Sequence, residues 1–464
     1  MRPTTFAATA LAVISAISCA DNTPTQPLHP KAAAEFDARR PPPVDPALIA
    51  LVRQLAIGRN VVPLIRPPRV REPLVQLGRA LLFDPILSGN RNISCATCHF
   101  PTFATGDGKS LAVGEGGIGL GPGREHPNGV FIPRNAPPLF NLGVMRHLFW
   151  DGRIERDDAG VVHTPAGAQL TPAMTQVFEF GPASALGLFP VTNRAEMRGL
   201  LESGNELAAI PDNDLPAIWA ALMRRLGKIP EYREMFEEAY PGTRFRDMTF
   251  AQASNAIGGF MVNELTFANA PWDRFLRGDD RALTGRQLEG ARTFLTLKCS
   301  ICHNGATLSD DQFHDVAVAQ LGPGEGDGPS GRDDFGRMRV TGSVADRYFF
   351  RTSPLRNVEL TGPFGHDGAI TTLRGFVEHY SESDIKLRTF DPSPLEPALR
   401  GTVIPNTDAI LAQRDTLLAG VVLTPELVNA LMDYMNALTD DAARDLSRLI
   451  PQRVPSRLPV DRPR

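Results

Sequence analysis

The sequence predicts a mostly α-helical protein built from two similar halves with long irregular loops. Three observations carry this. Apolar residues recur at helical spacing in the patterned segments, and strand-like alternation is scarce. A helix, a Cys-x-x-Cys-His turn and a glycine-rich loop follow one another twice, a loose internal duplication. Gly and Pro number 41 each in 464 residues while apolar content is ordinary, which favours long turns over disorder.

The elements follow in chain order. Residues 1–19 read as an export signal: Arg2 supplies a positive charge, "FAATALAVISAI" (6–17) is the apolar core, and no acid precedes Asp21. That run is too short to span a bilayer, and no other segment is long and apolar enough to do so. Ala16-Ile17-Ser18-Cys19 has the outline of a lipoprotein cleavage box, although Leu is usual where Ala16 sits. Cleavage there would leave a lipid-anchored periplasmic protein. The other reading is a soluble periplasmic protein that loses Cys19 with its signal.

Residues 20–65 are Pro- and Ala-rich, with a short helical stretch near 46–57, and read as an N-terminal tether plus the start of the fold. The first domain is expected over 66–270. It opens with "REPLVQLGRALLFDP" (71–85), whose Leu74, Leu77, Leu81 and Leu82 share one helix face. Loop 105–133 is glycine-rich at 114–123, but no strand precedes it and no Lys-Ser/Thr follows, so it is not a phosphate loop. A loop this long is usually functional or mobile.

The second domain is expected over 271–442. In "TGRQLEGARTFLTLKC" (284–299), Thr284 and Gln287 fit a capping box, and Leu288, Ala291 and Leu295 form the stripe. "TTLRGFVEHY" (371–380) places Leu373, Phe376, Val377 and Tyr380 on one face. "TPELVNALMDYMNALTDD" (424–441) has Thr424 at its N-cap and Pro425 at its first position. Residues 443–464, rich in Pro and Arg, read as a loose tail. The net charge of −4 is small for this length and argues against a nucleic-acid partner.

Of five cysteines, Cys19 belongs to the signal. The others form "CATCH" (Cys95, Cys98, His99) and "CSICH" (Cys299, Cys302, His303). C-x-x-C-H is the attachment motif of c-type haem. Its two thiols reach the two vinyl groups of one porphyrin, and the adjacent His lies under the iron as proximal ligand. A zinc site does not need His after both pairs. Disulfides suit export, yet such short loops are poor staples. The chain therefore reads as a dihaem cytochrome c, with one covalently bound haem in each domain.

The order of motifs resembles the bacterial dihaem cytochrome c peroxidases and their relatives of the MauG type. The matching stretches are "GRALLFDPILSGNRNISCATCH" (78–99), "RNAPPLFN" (134–141), "FWDGR" (149–153), "NRAEM" (193–197), "KCSICH" (298–303), "LRNVELTGPFGHDG" (355–368) and "TTLRGFVEHY". The resemblance implies two cytochrome-c-like domains. The N-terminal haem meets hydrogen peroxide, and the C-terminal haem handles electrons or stabilises an oxidised state.

The resemblance carries site residues over as well. Glu196 matches a glutamate beside the peroxide-binding haem, where a carboxylate can move a proton between the two peroxide oxygens. Asn193-x-x-Glu196 also fits a capping box. Pro190 matches a proline that crowds the same pocket and is otherwise a turn residue. Trp150 matches a tryptophan between the haems that relays electrons, and is otherwise a core anchor. Asn135, Thr361 and Pro363 match the oxygen ligands of one Ca²⁺ between the domains. Tyr380 matches the second haem's distal ligand, which is Met in classical members and Tyr in the MauG type. His379 is turned about 100° away by the helix period.

Two departures are visible. Classical members carry a histidine in the loop after the first CxxCH that blocks the peroxide site. Here Glu115 sits near that place, with His126 the only nearby alternative, so the first haem is expected to be open. Leu186 stands near the place of the family's glutamine. The implied partners are peroxide and either a small periplasmic electron donor (a cytochrome or copper protein) or a protein substrate for MauG-like oxidation. The reading from a different class is a non-catalytic electron-transfer cytochrome.

Overall fold

The computed structural model describes residues 44–463. The export signal, Cys19 and the first part of the expected tether lie outside them. Helices dominate. Among the described residues, strands are two or three residues long and form one three-stranded and one two-stranded sheet. No described helix is long and apolar enough to cross a membrane.

Each half is organised by a pair of crossing helices. In the first, α1 (Glu72–Phe83) packs against α2 (Phe250–Glu264). Leu74, Leu77 and Leu81 are wholly buried, and Leu82 nearly so, as the stripe predicts. In the second, α3 (Gly285–Thr296) packs against α4 (Pro425–Ala437). The expected caps are present: Thr284 and Gln287 form the capping box, and Thr424 accepts from the Leu427 amide. One glycine in each pair permits the close crossing. A Cβ on Gly78 would collide with the Ala256 carbonyl, and one on Gly290 with the Ala430 carbonyl. The duplication seen in the sequence therefore extends to the way the helices touch.

The helical stretch expected near 46–57 is present, while the C-terminal tail departs from expectation. The expected tether is structured from residue 44 onward. Helix Pro46–Gly58 packs on α3, Val61 and Leu64 are buried, and the Leu64 amide donates to Asp273 at 2.9 Å. This stretch belongs to the core of the second half. The tail expected to be loose over 443–464 is packed into the first half. Leu446 and Val454 are fully buried within its hydrophobic core. Ser456 donates to Asp84 at 2.6 Å, and Thr97 of the first Cys-x-x-Cys-His turn donates to Asp461. Pro and Arg content suggested looseness, but the few apolar residues between them are spaced to dock.

The glycine-rich loop is also ordered by its contacts. Buried Arg124 donates to the carbonyls of Val113, Gly114 and Gly119, gathering the loop around one guanidinium.

Candidate active site

The two Cys-x-x-Cys-His turns share one local geometry. Each Cys pair lies on a single helical turn, Cys95–Cys98 and Cys299–Cys302. The His99 Nδ1 lies 2.9 Å from the Thr105 carbonyl, and the His303 Nδ1 lies 3.0 Å from the Leu308 carbonyl. Thr105 and Leu308 both adopt left-handed backbone (φ 61° and 57°), which turns their carbonyls toward the rings. Donation from Nδ1 leaves the Nε2 lone pair free to bind a metal. Burial lowers both histidine pKa values, favouring the neutral, ligating form.

All four thiols are free, which sets aside the disulfide alternative. Burial pushes Cys95 up to about 12 and Cys299 up to about 11. Among the described residues the two pairs do not converge on one another to make a zinc site. The one cluster with metal-ligand spacing is Cys302, Asp310 and His314.

A large apolar cavity in the second half is lined by Cys299, Cys302, His303 and Tyr380. The stripe of "TTLRGFVEHY" forms part of its wall: Leu373, Phe376, Val377 and Tyr380 all face it. The Tyr380 hydroxyl has no hydrogen-bond partner among the described residues. Burial, reinforced by the two thiols, raises its pKa. His379 faces elsewhere, with Nε2 2.8 Å from the Val316 carbonyl. Two thiols, a neutral imidazole with a free Nε2 and a lone phenol, set in apolar walls, fit a haem.

The first site rests on different surroundings. The Cys95 Sγ lies 3.9 Å from the Met197 Sδ. Glu196 lies on the π-helical turn Arg194–Arg198. Asn193 does cap this turn, accepting from the Ala195 and Glu196 amides at 2.9 and 3.1 Å. Glu196 does not complete a capping box. Its carboxylate makes no hydrogen bond among the described residues, and its charge acts on both Cys95 and Cys98. Burial raises its pKa, against the opposing charge of Arg153 and with Glu325 adding to the rise. Half-buried Pro190 opens the adjoining 3₁₀ turn Pro190–Thr192, which packs against the Glu196 turn.

Glu115 is engaged elsewhere, accepting from Asn90 and Asn92 at 2.6 and 3.0 Å. The His126 Nδ1 accepts from the Asn128 amide at 3.1 Å, and its ring packs against Gly116, where a Cβ would lie 2.6 Å from Nε2.

Trp150 sits at the turn between strands His147–Leu148 and Ile154–Arg156. Its indole donates to the Asn135 carbonyl at 2.9 Å, and its own carbonyl accepts from the Arg351 amide. Asn135, Trp150, Thr361 and Pro363 border the same cavity as Tyr380, whereas Glu196 and Pro190 do not. The Asn135 Nδ2 donates to the Lys109 and Ser110 carbonyls, leaving Oδ1 as an acceptor. The carbonyls of Thr361 and Pro363 accept no hydrogen bond among the described residues.

Two features escape sequence reasoning. His314 lines the cavity between Asp310 and Asp415. Burial opposes its charge, yet bonds to Asp310, Cys302 and Asp415 push its pKa up to about 11. Arg134 is buried and pairs with Asp151 at 2.7 Å and with both oxygens of Asp334 at 2.6 and 2.8 Å. These partners lie 17 and 200 residues away along the chain, and no local pattern announces them.

Comparison with known proteins agrees with this geometry. The family model of di-haem cytochrome c peroxidase matches residues 72–281. Cytochrome c551 peroxidase of Pseudomonas aeruginosa is 30% identical over 313 residues, 68% of this chain and 73% of the relative. The methylamine utilization protein MauG of Methylorubrum extorquens is 28% identical over 332 residues, 70% and 74% of the two chains. Among solved structures, a MauG-like protein associated with microbial copper homeostasis matches with a TM-score of 0.57 at 24% identity, covering 83% of this chain and 96% of that one. The diheme peroxidase BthA of Burkholderia thailandensis matches at 0.55 and 22% identity, covering 85% and 91%. These two share the fold. With paired Cys-x-x-Cys-His turns, an apolar cavity bordered by a tyrosine, and these relatives, the chain belongs to the di-haem cytochrome c peroxidase family of oxidoreductases.

Proposed function

We propose that this protein is a periplasmic peroxidase-type enzyme that reacts with hydrogen peroxide at its N-terminal haem and exchanges electrons through its C-terminal haem. Cys95, Cys98 and His99 would hold the first haem covalently, and Cys299, Cys302 and His303 the second, with Tyr380 as distal ligand. Bound haem supplies an iron that accepts peroxide and stores oxidising equivalents.

The chain's own residues do the rest. Glu196 takes the proton from the inner peroxide oxygen and returns it to the outer one, so that water is the leaving group. Pro190 limits the room beside it. Trp150 shortens the electron's jump between the two sites. Asn135 Oδ1 and the carbonyls of Thr361 and Pro363 offer hard oxygen ligands that suit one Ca²⁺ with water completing its shell. With Glu115 held by two asparagines and His126 packed on Gly116, the first site stays open without reductive activation. The export signal supports a periplasmic location, with Cys19 as a lipid anchor in the lipoprotein variant.

The observation that carries this reading is the Glu196 carboxyl, half-buried beside the first pair of thiols with no hydrogen-bond partner among the described residues. Stoichiometric peroxide added to the oxidised holoprotein should change its haem absorption, and Glu196→Gln should abolish the fast change. A wild type that does not respond would leave a non-catalytic electron-transfer cytochrome. Tyr380 favours a second reading within the enzyme class. An anionic phenolate suits Fe(III) and higher states, as MauG-like oxidation of a protein or other substrate through Trp150 requires, rather than electron uptake from a small cytochrome or copper protein.

A further inference from the structure

The chain has five tyrosines, and their surroundings separate them. Tyr380 faces the cavity beside Cys299 and Cys302 without a partner among the described residues. Tyr434 is fully buried, and its hydroxyl also lacks one. Tyr240 donates to a backbone carbonyl, that of Gln252. Tyr232 donates to Asp84 in the core of the first half. Tyr348 alone both borders this cavity and donates to a carboxylate, with its Oη 2.7 Å from the Asp333 Oδ2. Both residues are 3% exposed.

Its backbone adds a second, independent observation. Tyr348 has φ 65°, in the left-handed region that a bulky side chain rarely enters. Strain of this kind persists where the surroundings over-determine it, and it clusters at functional sites. A phenol needed only to fill the wall could be supplied from ordinary backbone.

A carboxylate at hydrogen-bond distance is what a tyrosine needs to lose an electron, because the phenolic proton must leave with it. From Asp333 the proton has a way out. The Asp333 Oδ1 lies 3.4 Å from the hydroxyl of Ser330, which is exposed three residues earlier in the chain.

We propose that Tyr348 is a redox-active residue of the second site, giving one electron to that haem while its phenolic proton passes to Asp333. The O–H bond of Tyr348 breaks and a neutral phenoxyl radical remains. Asp333 becomes a carboxylic acid, and the haem, previously oxidised, is reduced by one electron. Peroxide is the ultimate oxidant, and the step consumes one of its two oxidising equivalents. This rests on the peroxide reading above for its source of oxidant, but not for the identity of the residue.

The test is freeze-quench electron paramagnetic resonance on the holoprotein, oxidised with peroxide and, separately, with hexachloroiridate(IV), a one-electron oxidant. A tyrosyl radical signal is expected in the wild type and is lost in Tyr348→Phe. In Asp333→Asn the signal should form at least about 100-fold more slowly, the scale of a lost proton acceptor. Unchanged haem absorption and circular dichroism would show that both variants fold. No tyrosyl signal with either oxidant, or a signal that survives Tyr348→Phe, would overturn the proposal. An undiminished rate in Asp333→Asn would overturn the role of Asp333. A radical with iridate but no haem response to peroxide would uphold Tyr348 and overturn the peroxide reading instead.

Discussion

His379 and Tyr380 are neighbours in sequence and face different parts of the protein. The His379 imidazole is tied to the Val316 carbonyl at 2.8 Å, while the Tyr380 phenol borders the cavity that also holds Cys299, Cys302 and His303. One residue step on a helix makes this division. It removes the stronger ligand on paper and leaves the phenol. We expect Tyr380→Phe to alter the second haem's absorption and to raise its potential by on the order of 100 mV, within the ~0.8 V span that axial ligands govern. His379→Ala should leave both nearly unchanged. Spectroelectrochemical titration reads both outcomes.

Glu196 should impose a pH dependence on the reaction with peroxide. Burial raises its pKa, so the carboxylate that accepts the proton fills only above the ordinary carboxyl range. The rate should fall on acidification before an exposed glutamate would protonate. Removing the favourable charge in Arg153→Ala should move that fall to higher pH. Glu196→Gln should slow the reaction by about 10²–10⁴-fold and flatten the profile. Stopped-flow rates against pH decide the matter.

The cation proposed between Asn135, Thr361 and Pro363 predicts one equivalent of Ca²⁺ in purified protein by elemental analysis. Asn135→Ala should lower that content, since it removes the one side-chain oxygen of the set. Full occupancy in Asn135→Ala would place any bound calcium elsewhere.

The crossing of α3 and α4 leaves no room at Gly290. Gly290→Ala should destabilise the protein by about 1–3 kcal/mol, the usual cost of overpacking, although alanine is the better helix former. Gly78→Ala should behave likewise in the first half. Urea unfolding of the two variants measures both effects.

The docked C-terminus predicts a large effect of truncation. Ending the chain at Asp445 removes Leu446, Leu449 and Val454 from the core. Each such buried side chain contributes about 1.5–3 kcal/mol, so the first half should lose several kcal/mol of stability. A loose tail would give an unchanged urea midpoint.

Much of the chemistry was legible because it is local. The two Cys-x-x-Cys-His turns, the stripes at Leu74–Leu82 and Leu373–Tyr380, and the caps at Thr284 and Thr424 are set by contacts within a few residues of chain. Asn193 shows where local reading runs short. The cap it predicts is present, but Glu196, the partner expected to return the bond, makes no hydrogen bond among the described residues.

The sequence by itself determined that there are two Cys-x-x-Cys-His turns, the helices that lead to them, and the helix face on which Tyr380 lies. Helical period and bonding range make these properties of short segments. Only the tertiary structure decided that the N-terminal stretch packs on the second half and the C-terminal stretch on the first. It alone seated Arg134 among Asp151 and Asp334, and set the phenol of Tyr348 against Asp333. Those contacts join residues far apart in the chain, and burial in a shared interior, rather than any local pattern, brings them together.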